Sequence, residues 1–111
     1  MKHFTENQME FLLTFFENNK YPGSKEIGAK LIKKGRCIVA GNTMLWQGGI
    51  GNFIKTKETD EAVGCLEYTM DINEFIHSEL FKESLNYKIN KVNSNIIELQ
   101  EVKEDMEEFR K

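Results

Sequence analysis

Four side chains in this sequence have the chemistry of transition-metal ligands: Cys37, Cys65, His3 and His77. A structural zinc site takes four such groups, usually as two close pairs. No two of them stand at pair spacing here. The ordinary reading is two reduced, half-buried thiols, one terminal imidazole and one imidazole on the polar side of a helix. The same groups are the only thiol route to nucleophilic catalysis, with Cys37 or Cys65 as nucleophile, His77 as base and a carboxylate to orient it. Neither cysteine opens a helix, where the dipole would favour the thiolate. No Gly-x-Ser-x-Gly run occurs. Carboxylates are numerous, but Asp71 and Glu74 hold the positions of a helix cap, and Glu104, Asp105, Glu107 and Glu108 belong to an acidic tail. Nothing selects a general acid–base pair. The expectation is a non-enzymatic protein without cofactor or metal.

Gly41 and the run Gly48-Gly49-Ile50-Gly51 are the most unusual local feature. Consecutive free amides bind anions, yet the Gly-Lys-Ser/Thr ending of a P-loop is missing. A tight connection or bulge, closely approached by another backbone, explains the glycines equally. Trp46 before the run, with Asn52 and Phe53 after it, would offer a partner an aromatic anchor, because Trp is enriched at binding hot spots. The same Trp also suits a core.

These residues need elements to position them. Thr5-Glu6-Asn7-Gln8 is a capping box, and Phe4 and Met9 have the spacing of a hydrophobic staple. Met9, Leu12, Leu13 and Phe16 then follow at helical intervals. After Tyr21-Pro22-Gly23, Ser24 caps a second helix through Lys34, with Gly35 placed for the left-handed residue that ends it. Past Gly35 the period changes. Cys37 to Ala40 predicts a strand, Gly41-Asn42 a turn, and Thr43 to Gln47 its partner. Further strands are predicted over 52–56 and 62–70, with Leu66, Tyr68 and Met70 on one face and Cys65, Glu67 and Thr69 on the other. A second capped segment predicts a helix over 72–84. Residues 87–92 and 96–102 read as a hairpin across Asn93-Ser94-Asn95. Val102, Met106 and Phe109 give the tail helical spacing.

The expected fold class is α+β: two N-terminal helices, then a mainly antiparallel sheet of about five to six strands interrupted by one helix, with room for a short C-terminal helix. At 111 residues the expectation is one domain. Residues 1–35 are its helical part, 36–102 its sheet with the 72–84 helix, and 103–111 its acidic tail. No apolar run reaches the length of a membrane span, and the N-terminus lacks the apolar segment of a signal peptide. Together with unpaired cysteines this predicts a cytoplasmic protein that does not engage membranes.

The net charge of −3 is unevenly placed. Nine Lys/Arg stand against four Asp/Glu up to Lys57, and six against fourteen after it. Such a chain neutralises itself across its own fold or shows two differently charged faces to partners.

Phe4-Thr5 with Gln8, Phe11-Leu12, then Tyr21-Pro22-Gly23-Ser24 with Glu26-Ile27 resemble the opening of winged helix-turn-helix repressors of the LexA kind. The resemblance covers about 24 residues and implies a nucleic-acid-binding regulator. A third, recognition helix should then follow the second one, but here Gly35 and a strand-like run take its place. Lys25, Lys30, Lys33, Lys34 and Arg36 would contact phosphates in that reading, and equally suit a solvated helix face. The preferred expectation is a small binding protein that docks on an unidentified protein partner through Trp46, Asn52, Phe53 and the carboxylates of Glu104, Asp105, Glu107 and Glu108. In size and charge it is similar to small acidic phage and mobile-element inhibitors, anti-CRISPR-like proteins among them, that block a host protein.

Overall fold

The computed structural model describes residues 3–18, 20–41, 45–61, 63–94 and 100–111. Helix α1 (Glu6–Thr14) begins at the capping box. Thr5 Oγ1 accepts from the Gln8 amide at 3.1 Å, and Gln8 Oε1 accepts from the Thr5 amide at 2.9 Å. The N-cap of helix α2 (Ser24–Lys34) is Gly23 and not Ser24, whose Oγ instead accepts from the Asn18 amide at 3.0 Å. The helix ends at Gly35, whose φ of +74° is the left-handed conformation glycine adopts without strain. The Gly35 amide donates to the Leu31 carbonyl at 2.8 Å, and its own carbonyl accepts from the Met70 amide at 3.0 Å. The helix cap is therefore already the first rung of a sheet.

That sheet has strands β1 (Arg36–Ala40), β2 (Ile54–Glu58) and β3 (Cys65–Met70) in the order β1-β3-β2, both pairs antiparallel. Tyr68 lies opposite Cys37 on one side and Thr56 on the other, while Glu67 lies opposite Ile38 and Lys57. The alternation expected of β3 is present. Tyr68 and Met70 are buried in the core with Cys37, and Glu67 and Thr69 share the opposite face with Arg36, Lys55 and Lys57.

The expected five to six strands are not found. Among the described residues there are three strands and five α-helices. Leu45 to Gln47 form no strand, and 42–44, the rest of that expected strand and turn, lie outside the described residues. The 52–56 strand begins later, at Ile54, because Ile50–Phe53 is a 3-10 turn that seats the fully buried Ile50. Gly48 and Gly49 make that reversal with φ of +70° and +84°. The 62–70 strand starts at Cys65. The helix expected over 72–84 is two helices, α3 (Ile72–Ile76) and α4 (Glu79–Ser94). Between them Ser78 Oγ donates to the Phe75 carbonyl and accepts from the Phe81 amide at 3.2 Å, closing one helix and capping the next.

The 87–102 hairpin is overturned. Phe81, Leu85, Ile89 and Val92 all turn inward at helical intervals, so burying them demands a helix through residues 87–92. Tyr87, the first residue of the expected strand, is 70% exposed. Of the second hairpin strand, 96–99 lie outside the described residues, as does Asn95 of the expected turn, and 100–102 open helix α5 (Gln100–Glu108). The tail is not appended to the fold but packed into it: Met106 is fully buried, and Val102 and Phe109 pack against the core. Phe109 meets Phe81 edge-on at 5.0 Å, and Phe75 meets Phe15 the same way at 4.9 Å, an arrangement aromatic rings favour.

Candidate protein-binding surface

Helix α5 is seated by its neighbours before it offers anything to solvent. Asp105 Oδ2 accepts from Asn7 Nδ2 at 2.9 Å, and the Asp105 carbonyl accepts from Gln8 Nε2 at 2.9 Å. These bonds and the burial of Met106 fix which side of α5 faces out. The expected acidic residues consequently divide. Glu104 and Glu108 are exposed, Glu107 is half-buried, and Asp105 is committed to α1. Glu108 pairs with Lys111 at 3.3 Å. Glu101, which a strand reading of 96–102 had hidden, is exposed one turn before Glu104. Glu101, Glu104 and Glu108 recur at three- and four-residue intervals, so they form one ridge along the outer side of α5. Glu6 and Glu10 are exposed on α1, which packs beside it.

The expected aromatic anchor is placed differently. Trp46 is half-buried, with its ring edge-on to Phe16 at 5.6 Å and to Tyr68 at 6.4 Å. Its Nε1 has no hydrogen-bond partner among the described residues. Phe53 packs on Phe75 at 5.2 Å, and Asn52 is exposed. Trp46 and Phe53 thus pack against the core. The Asn18 side chain holds the segment from below, donating to the Leu45 carbonyl at 2.8 Å.

The basic residues also separate. Lys30, Lys33 and Lys34 are exposed on α2, whereas Lys25 pairs with Glu17 at 3.4 Å. Arg36 is consumed within the fold, its guanidinium hydrogen-bonded to Glu67 and to Glu61. Lys57 reaches Glu67 at 3.3 Å from the neighbouring strand. The Arg36 hydrogen bond, aided by Lys57, holds the Glu67 carboxyl below the usual carboxylate range, and the two carboxylates raise the Arg36 pKa. Sequence reasoning placed Glu67 on the correct face but missed this network, since its members are brought together only by the strand register. Because a strand follows α2, the segment after it does not supply the recognition helix of the repressor arrangement.

The two cysteines are free, Cys37 on the core side of the sheet and Cys65 beside Glu67's side. No group of three His, Cys, Asp or Glu among the described residues is placed to hold a metal ion. No helix of the described residues is long and apolar enough to cross a membrane. A cleft of about 700 Å3 runs between α1 and α4 over Phe11, Phe15 and Leu80. Charges of both signs rim it, Glu17 and Glu83 against Lys88 and Lys91, so it selects no ligand by charge. No protein-family model matches the chain, and no curated protein or solved structure matches it either.

Proposed function

We propose that this chain is a non-enzymatic binding protein that presents the acidic ridge of α5 to a basic groove on another protein. The observation that carries the reading is the outward row of Glu101, Glu104 and Glu108 on a helix whose opposite side is locked by Met106 and by the Asn7–Asp105 hydrogen bond. A row of carboxylates on a rigid support loses little freedom on docking. Its contribution is complementarity and association rate, and salt weakens it. Occlusion of the partner's groove would make the protein an inhibitor of that partner.

The test compares wild type with the Glu101→Lys, Glu104→Lys, Glu108→Lys variant in pull-downs from cells of the source at low and moderate salt. The expected result is a partner retained by wild type, weakened by salt and lost from the variant. Equal retention by the variant would sink the ridge. A low-salt anisotropy titration with duplex and single-stranded DNA runs beside it. DNA binding abolished by changing Lys30, Lys33 and Lys34 would replace this reading with the nucleic-acid one.

A further inference from the structure

A second charged feature has the opposite sign. A pocket of about 400 Å3 opens between the end of α3, the early turns of α4 and the residues that follow α5. Lys82, Arg110, Lys111 and the imidazole of His77 line it, and no Asp or Glu among the described residues does. In a chain of net charge −3, three cationic side chains and an imidazole around one concavity concentrate positive charge locally. Concave walls strengthen that concentration by focusing the potential.

The groups are held in defined ways. The guanidinium of Arg110 donates to Asn86 Oδ1, which orients its planar fork at the pocket rim. His77 Nδ1 lies 2.6 Å from the Asn73 carbonyl, which ties the ring to α3. Lys111 shares its charge with Glu108. Lys82 makes no ion pair among the described residues. The remaining wall is apolar: Ile76 and Leu85, both almost completely buried, and Phe109, whose ring is fixed by Phe81 and Phe4.

We infer that this pocket binds a phosphate ester of about mononucleotide size, with its oxyanions on Lys82, Arg110 and Lys111 and its organic part against Leu85 and Phe109. Converging cations favour a multiply charged anion over a single carboxylate, and an arginine fork matches phosphate oxygens two at a time. The volume falls within the roughly 300–1,000 Å3 range of small-molecule sites, and an apolar wall with a few convergent polar groups is their usual lining. The site meets the proposed acidic ridge at one point, the Lys111–Glu108 ion pair, and shares neither Glu101 nor Glu104 with it.

The experiment is a 1H–15N NMR titration of the full chain with AMP, pyrophosphate and inorganic phosphate at constant ionic strength. AMP is expected to give saturable shifts confined to residues 76–86 and 106–111, with a dissociation constant below about 1 mM. Pyrophosphate and phosphate should bind at least about tenfold more weakly, for want of contact with the apolar wall. The Lys82→Ala, Arg110→Ala variant should keep the wild-type dispersion of its spectrum and lose at least about tenfold in AMP affinity. Shifts that fail to saturate, or that spread to the α2 lysines, overturn the site. So does undiminished affinity in the double variant. Pyrophosphate binding as tightly as AMP overturns the ester.

Discussion

Gly28 of α2 lies so close to Phe16 that a Cβ built on it would stand 2.3 Å from Phe16 Cγ. The turn that follows α1 packs onto α2 at this point because one residue there has no side chain. Phe16 is fully buried and also carries the edge of Trp46, so it has no free space to enter.

Gly28→Ala is therefore expected to destabilise. Alanine gains up to about 1 kcal/mol of helix propensity. Overpacking in a closed core costs roughly 1–3 kcal/mol or more, and a contact this short belongs at the upper end. A net loss of about 2 kcal/mol is expected, read as a lower urea midpoint with unchanged m-value. A higher midpoint would show that α1 and α2 separate easily.

Glu67 makes part of the stability depend on acid. Its folded pKa lies below the ordinary carboxylate value because Arg36, and then Lys57, stabilise the charged form. Stability from this group is present above about pH 4.3, the ordinary glutamate value, and is lost as pH falls through the lower folded value. Wild type should exceed Glu67→Gln in melting temperature at pH 7, and the gap should narrow as pH falls below about 4. A gap that stays constant down to pH 2.5 or so would separate Glu67 from the pH dependence.

Trp46 can be tested as a core residue. Its ring packs on Phe16 and Tyr68, while its N–H has no described partner. Trp46→Phe should cost less than about 1.5 kcal/mol, whereas Trp46→Ala removes the packed ring at a cost of about 3 kcal/mol. Equal and negligible costs in thermal melts would make Trp46 a surface group.

Adjacent acids on α5 should respond differently. Asp105→Ala breaks the bond to Asn7 and should cost about 1 kcal/mol. Glu104→Ala removes an exposed carboxylate and should stay within about 0.5 kcal/mol of wild type. A denaturation midpoint lower for Glu104→Ala than for Asp105→Ala would reverse the division between structural and outward-facing acids.

Local signals decided where elements start. Thr5 with Gln8 and Gly35 after Lys34 state their geometry in one or two residues, and both are found as expected. Tyr68 and Met70 declare the inner face of β3 by alternation alone. The region after Ser84 misleads because Tyr87 and Ile89 alternate over a short window, while the helical stripe Phe81, Leu85, Ile89, Val92 needs three turns to become visible. Mistaking that segment hid Glu101, and with it the register of the acidic ridge. The Arg36–Glu67–Lys57 network and the Lys82–Arg110 pocket join residues from separate elements, so no local pattern announces either.

The hydrogen bond between Asn7 and Asp105 spans 98 positions, and this has a kinetic consequence. Closing so long a loop costs the chain entropy before any contact repays it. The clasp of the first helix by the last should accordingly form after the transition state for folding. Met106→Ala and Asn7→Ala would then leave the refolding arm of the chevron almost unmoved and accelerate the unfolding arm. The protein's resistance to spontaneous opening, more than the speed with which it folds, would reside where its two distant ends are joined.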